Sequence, residues 1–175
     1  ISFLLINISI KNIGVYLKPI LMSLFLPVKE VLYIPISIIL TPISTGFTWF
    51  TLNIFGFRAY TRGQEIFIGN GGVDITFGCS GSDQIIFSIA SVIVLNFLLP
   101  FKNLITFYIQ IILSLIVTFL INILRLCILT ITVESYNSDK FSVFDFFHGN
   151  KGSLVFALIS TVICCEIYKR LYVLE

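Results

Sequence analysis

From Leu104 to Thr132 the chain runs for 29 residues with a single charge, Arg125. As a helix this run is about 43 Å long, more than the roughly 30 Å hydrocarbon core of a bilayer, so it must tilt or protrude. A chain built on such a run has few options, because backbone polar groups that meet lipid must be satisfied internally. Composition agrees. Of 175 residues 57% are hydrophobic and 11% charged, against roughly a quarter charged in a soluble domain, and the mean hydropathy is +1.03. An ordinary soluble globule and a disordered tail are both excluded. Eleven Lys and Arg against nine Asp and Glu leave +2, so no basic stripe exists for nucleic acid. Four cysteines in a chain of this kind do not read as a disulfide framework.

The expected architecture is an all-α polytopic membrane protein forming one domain over 1–175, with four to five spans and a short surface β-hairpin. Spans are predicted over 31–55, 79–99, 104–132 and 149–168. Pro35 and Pro42 lie inside the first, which membrane helices tolerate when neighbours satisfy the freed carbonyl. Residues 1–30 read as an interfacial or partial span, interrupted by Lys11 and Lys18. Ile1 is not a methionine, so the N-terminus is not taken to be complete, and no cleavable signal peptide is read. The Glu134–Phe147 stretch, polar and aromatic mixed, reads as a loop. Over 64–77 the pattern changes to period two, with Val73, Ile75 and Phe77 on one face and Asp74 and Thr76 on the other. Asn70-Gly71-Gly72 is the expected turn of the hairpin.

Span direction then brings distant residues together. The second span descends from Cys79 to the turn at Pro100–Asn103. The third climbs back, and Arg125 lies 21 residues past Leu104, about 31 Å up. His148 opens the last span at the same level. Cys79, Arg125 and His148 are therefore expected near one membrane face. Six Lys and Arg, among them Lys29, fall on the opposite side and four on the hairpin side, so the positive-inside rule puts the cluster outside the cytoplasm.

The three side chains have complementary chemistry. Cys79 lies in Gly78-Cys79-Ser80-Gly81 at an expected helix start, where unpaired N–H groups and the helix dipole favour a thiolate. His148 can take the thiol proton and later protonate a leaving amine. Arg125 can bind a carboxylate or stabilise an oxyanion, and an ionisable group inside a span is a functional hypothesis by default. Asn122, one turn before Arg125 on the same face, points to an inward polar patch. Asp83 can orient His148 or pair with Arg125, or simply sit as a carboxylate at a helix N-terminus. Cys127, Cys164 and Cys165 read as small apolar fillers. Glu65, Asp74, Arg58 and Arg62 read as a solvated rim. No cofactor and no metal ligand set is expected.

In order along the chain, Gly78-Cys79-Ser80-Gly81, Asn122-Ile123-Leu124-Arg125, and His148 with Gly152 and Phe156 resemble the exosortase/archaeosortase family. The approach through Gly56, Glu65-Ile66-Phe67-Ile68 and Val73-Asp74-Ile75-Thr76 is similar too, and the resemblance covers about residues 31–169. It implies a polytopic cysteine transpeptidase or protease acting on proteins with a C-terminal sorting signal: a short motif, a membrane helix and a basic tail. It implies Cys79 as nucleophile, His148 as acid/base and Arg125 as stabiliser. The chain is short for the family. Cyanobacterial exosortase-like forms are similar, which implies the inner or thylakoid membrane with an extracytoplasmic or luminal active face.

Two other readings compete. Gly78-Cys79-Ser80-Gly81 also fits a rhomboid-like intramembrane serine protease with Ser80 as nucleophile, in which Arg125 has no role. Alternatively the chain is a non-catalytic accessory subunit of a larger membrane complex, photosynthetic or respiratory, whose apolar faces pack other helices or lipid. A transporter is disfavoured because the mid-membrane zone is expected to hold almost no polar pairs to coordinate an ion or substrate.

Overall fold

The fold comes from a computed structural model that describes the backbone of residues 13–134 and 138–174, and side chains over 29–133, 143–149 and 151–174. Five helices and a three-stranded sheet are described: α1 Ile13–Ile54, β1 Ala59–Arg62, β2 Glu65–Ile68, β3 Gly71–Asp74, α2 Ser82–Leu98, α3 Leu104–Glu134, α4 Ser138–His148 and α5 Asn150–Leu174. Two segments are long and apolar enough to cross a bilayer, Lys29–Ile54 and Leu104–Val133; α2 is apolar but shorter, at 17 residues. The helix bearing Pro35 and Pro42 runs unbroken through both. The expected interfacial segment lies partly outside the described residues, at 1–12; from Ile13 it is the start of α1.

The end of α1 explains where the sheet begins. Gly56 takes φ +86°, a left-handed conformation that glycine adopts without a Cβ clash. Phe57 N–H then reaches back to the Leu52 carbonyl at 3.0 Å and Gly56 N–H to that of Asn53 at 3.1 Å. This pair of bonds is a Schellman stop, and Phe57 and Leu52 pack in one apolar cluster, as such a stop favours. The chain turns back along α1, held where Trp49 Nε1 and Asn53 Nδ2 donate to the Ala59 carbonyl at 3.0 and 3.2 Å.

The predicted hairpin is one half of an antiparallel sheet of order β1-β2-β3. The β2–β3 pair is the expected one, with Ile66 opposite Val73, but its turn is Gly69-Asn70 rather than Asn70-Gly71-Gly72, because Gly71 and Gly72 belong to β3. β1 was not anticipated: Ala59-Tyr60-Thr61-Arg62 is too short and polar to show a period. Ala59, Ile66, Ile68 and Val73 are buried on one face of the sheet, and Ile75 is buried just past it. All of these except Val73 share a cluster with Leu52 of α1 and Ile123, Leu126, Cys127 and Leu129 of α3. The sheet therefore closes over the C-terminal ends of α1 and α3.

Two further expectations are corrected. The span predicted from Cys79 begins at Ser82, since Phe77–Cys79 forms a single 3-10 turn first. The stretch read as a loop before His148 contains α4, Ser138–His148, an 11-residue helix. Its mixed polar and aromatic content hid it, because it shows no clean apolar stripe, and none of its described side chains is buried.

Candidate active site

The 3-10 turn delivers Cys79 to the interior. Cys79 N–H bonds the Thr76 carbonyl at 2.9 Å, and the residue is 5% exposed. Ser80 is fully buried, and its hydroxyl donates to the Phe77 carbonyl at 2.7 Å and lies 2.6 Å from Ser82 Oγ. From α1, Ser44 Oγ donates to the Ser80 carbonyl at 3.0 Å and Ser37 Oγ to Ser82 Oγ at 2.9 Å. The Ser80 hydroxyl is thus committed within the turn, to the Phe77 carbonyl and Ser82, while the Ser80 carbonyl and Ser82 tie the turn to α1; this arrangement does not free the hydroxyl as a nucleophile.

Gly81 joins the turn to α2 at φ +88°. A Cβ there would lie 2.7 Å from Asn122 Nδ2, so backbone and side chain pack in a space only glycine leaves. Asn122 uses this closeness: its Nδ2 donates to the Cys79 carbonyl at 3.2 Å. One turn on, Arg125 is 3% exposed and its Nη2 stands 4.0 Å from Cys79 Sγ, while Nη1 donates to Ser153 Oγ at 3.4 Å. Among the described residues, Arg125 Nε and Asn122 Oδ1 have no hydrogen-bond partner. An arginine so deeply buried is costly unless its donors are engaged. Two residues 46 positions apart thus meet where the span arithmetic expected them.

His148 is the last residue of α4, exposed, with its ring stacked on Phe144 at a centroid distance of 5.2 Å. Its neighbour Phe147 packs against the cluster that contains Cys79. The α4–α5 corner is tight at Gly152, where a Cβ would meet the Phe147 backbone at 2.5 Å. The same corner carries Ser153, the residue that Arg125 touches. Arg125 thus touches both Cys79 and Ser153, whereas His148, at the end of α4, makes no hydrogen bond to Cys79 or Arg125 among the described residues.

Asp83 neither orients His148 nor pairs with Arg125: it is the carboxylate in the first turn of α2, the third of the roles expected for it, and it pairs with Lys29 Nζ at 2.9 Å. That contact brings Lys29 to the α2 N-terminus, at the level of the Cys79 turn, and so weakens the charge asymmetry on which the expected orientation rests. Among the described residues no three of His, Cys, Asp and Glu gather as metal ligands. A cavity of about 830 Å³ lies between α2 and α5, bounded by Gln84, Ser88, Ser153 and Ser160 among mostly apolar neighbours.

The family model for transmembrane exosortases matches residues 1–165. The chain belongs to the transmembrane exosortase family. The match takes in the first 30 residues, which the motif-based resemblance left out. No curated protein and no solved structure matches the chain. Membership supports an integral membrane protein of exosortase type.

Some features of this exosortase site escaped the sequence reading. Gly81 was seen only as part of a Gly-Cys-Ser-Gly string; its contact with Asn122 depends on helices that meet in space. Ser153 carried no signal. The buried polar side chains of α3 did: Gln110, Ser114, Thr118 and Asn122 recur every four residues, and all are at most 1% exposed. Buried polar groups therefore run through the middle of α3, where the sequence leads one to expect almost no polar pairs.

Proposed function

We propose that the chain is a membrane-embedded cysteine transpeptidase or protease that processes C-terminal sorting signals of membrane-anchored proteins. In this reading α1, α2, α3 and α5 all cross the bilayer, and the site faces the extracytoplasmic or luminal side of the inner or thylakoid membrane. His148 takes the Cys79 proton, and the thiolate attacks the scissile carbonyl carbon. Arg125 stabilises the oxyanion of the tetrahedral intermediate. The C–N bond breaks, the leaving amine takes the proton from His148, and the acyl group remains on Cys79 as a thioester. An acceptor amine or water then releases it.

The observation that carries this reading is the 4.0 Å approach of Arg125 Nη2 to Cys79 Sγ inside the helix bundle. A structural filler cysteine has no use for a buried guanidinium. The test is co-expression with a reporter that ends in a short motif, a membrane helix and a basic tail, followed by immunoblotting for the shortened product. Processing is expected in the wild type and in Ser80→Ala, and lost in Cys79→Ala. Processing that survives Cys79→Ala would contradict the mechanism.

The accessory-subunit reading is favoured by one observation: His148 is exposed and stacked on Phe144. Co-purification at fixed stoichiometry with a larger complex, together with wild-type behaviour of Cys79→Ala, would support it.

A further inference from the structure

The cavity between α2 and α5 reaches the candidate site. Arg125 Nη1 donates to Ser153 Oγ, and Ser153 is part of the cavity wall. Along α2 the wall extends from Asp83 to Phe97, about 21 Å of helix. Both α2 and α5 pack more extensively on α3 than on each other, and the groove is the gap they leave. On α5, Ser153, Ala157 and Thr161 line it at four-residue spacing, with Leu158 exposed beside them; Phe87 stands exposed on α2. Small residues at this spacing, flanked by larger ones, let a further helix approach closely within a bilayer.

Small residues alone do not say what lies against them, and a lipid tail would cover an apolar groove equally well. Gln84 separates the two. It lies in the first turn of α2, at the end of the groove nearest Cys79, and lines the cavity. It is 7% exposed, and among the described residues neither atom of its amide has a hydrogen-bond partner. The amide is folded out of reach of solvent, and rotation about the side-chain bonds of Gln84 turns it toward the groove. A lipid tail gives that amide nothing to bond. A polypeptide offers both a donor and an acceptor, and the first turn of a helix presents N–H groups that its own backbone leaves unpaired. Within a bilayer such groups are costly unless another side chain meets them.

We infer that the groove between α2 and α5 seats the membrane helix of the substrate, with the first turn of that helix at Gln84 and Ser153 and the segment to be cut just before it, at Cys79. The inference rests on the reading of the chain as a processing enzyme. It adds the route: the substrate enters sideways from the lipid, through the gap between α2 and α5, and its helix lies along α2 below the site. The order of a sorting signal, motif first and membrane helix next, matches the order of Cys79 and the groove.

The test is site-specific photo-crosslinking in membranes. Full-length Cys79→Ala would be co-expressed with the sorting-signal reporter and carry a photoreactive phenylalanine analogue either at Leu158, in the groove, or at Leu120, exposed on α3 outside it. The adduct with the reporter helix is expected to be several-fold stronger from Leu158 than from Leu120. Ala157→Phe, which fills the groove, should weaken that adduct several-fold. In the chain that retains Cys79, Ala157→Phe should also slow processing several-fold while maleimide labelling of Cys79 stays at the wild-type rate, which shows that the site itself is intact. Adducts from Leu158 with lipid alone or with a second copy of the chain, or a reporter adduct no stronger than that from Leu120, overturn the inference. Processing is scored separately. A reporter that crosslinks from Leu158 but is never shortened by the wild type leaves the groove as a helix-binding site and removes the catalytic reading. A reporter that is shortened but crosslinks equally from both positions leaves the catalytic reading and removes the groove.

Discussion

The interior of this exosortase has two halves that meet at Cys79. On the sheet side, Leu52, Ile66, Ile68, Ile75, Leu126 and Leu129 are all at most 2% exposed and form one apolar cluster. On the other side, the same helix α3 buries Gln110, Ser114, Thr118, Asn122 and Arg125, several of whose polar atoms find no protein partner. Cys79 belongs to the apolar cluster and also touches Arg125. The contrast separates two roles. The apolar half contributes stability through burial, while the polar half costs stability and is the place to look for chemistry. Cys127 makes the same point at close range: it is as buried as Cys79 and in the same cluster, yet none of its described contacts is with Arg125.

The sharpest way to break this division is at the cysteines. Cys79→Ala should reduce processing of a sorting-signal reporter by roughly a thousand-fold or more, as expected for loss of a nucleophile, while Cys127→Ala should leave processing near wild type and cost only stability. Equal effects of the two variants would erase the division. Within the apolar half, Leu126→Ala removes a fully buried side chain and should destabilise by about 2–5 kcal/mol, read by denaturant unfolding in detergent. At the boundary, Gly81→Ala forces a Cβ into a left-handed residue pressed on Asn122; it should cost roughly 1–3 kcal/mol and disturb the Cys79 loop, visible as changed thiol labelling. The smallest effect belongs to the Lys29–Asp83 pair, half exposed at both partners. Asp83→Asn should change stability by no more than about 1 kcal/mol, and by less in high salt, read by denaturant unfolding.

Much of this arrangement was legible in the sequence. That Cys79 and Arg125 lie at one level followed from two span lengths and a reversal of direction, because helical rise is fixed and depth can be counted; that they touch is seen in the structure. A hairpin over 64–77 followed from period-two alternation in Gln64–Gly69 and Val73–Phe77, although the second strand is Gly71–Asp74 and Phe77 is exposed. What stayed hidden shares a cause: it depends on which helix faces meet. The sequence gives no sign that Gly81 presses on Asn122, that Ser153 meets Arg125, or that Lys29 reaches Asp83. β1 is too short to carry a period, and α4 is too mixed in character to show one. The four-residue spacing of polar groups on α3 was visible, but the run is so apolar overall that its few polar members read as incidental until their burial was known.

The most direct test of the central claim is thiol reactivity in intact membranes. A small maleimide would be applied to wild type, Arg125→Gln and His148→Ala, with labelling of Cys79 and Cys127 followed by mass spectrometry. The account predicts that Cys79 labels much faster than the equally buried Cys127, and that either substitution slows Cys79 while leaving Cys127 unchanged. Equal labelling of the two cysteines, indifferent to both substitutions, would contradict it.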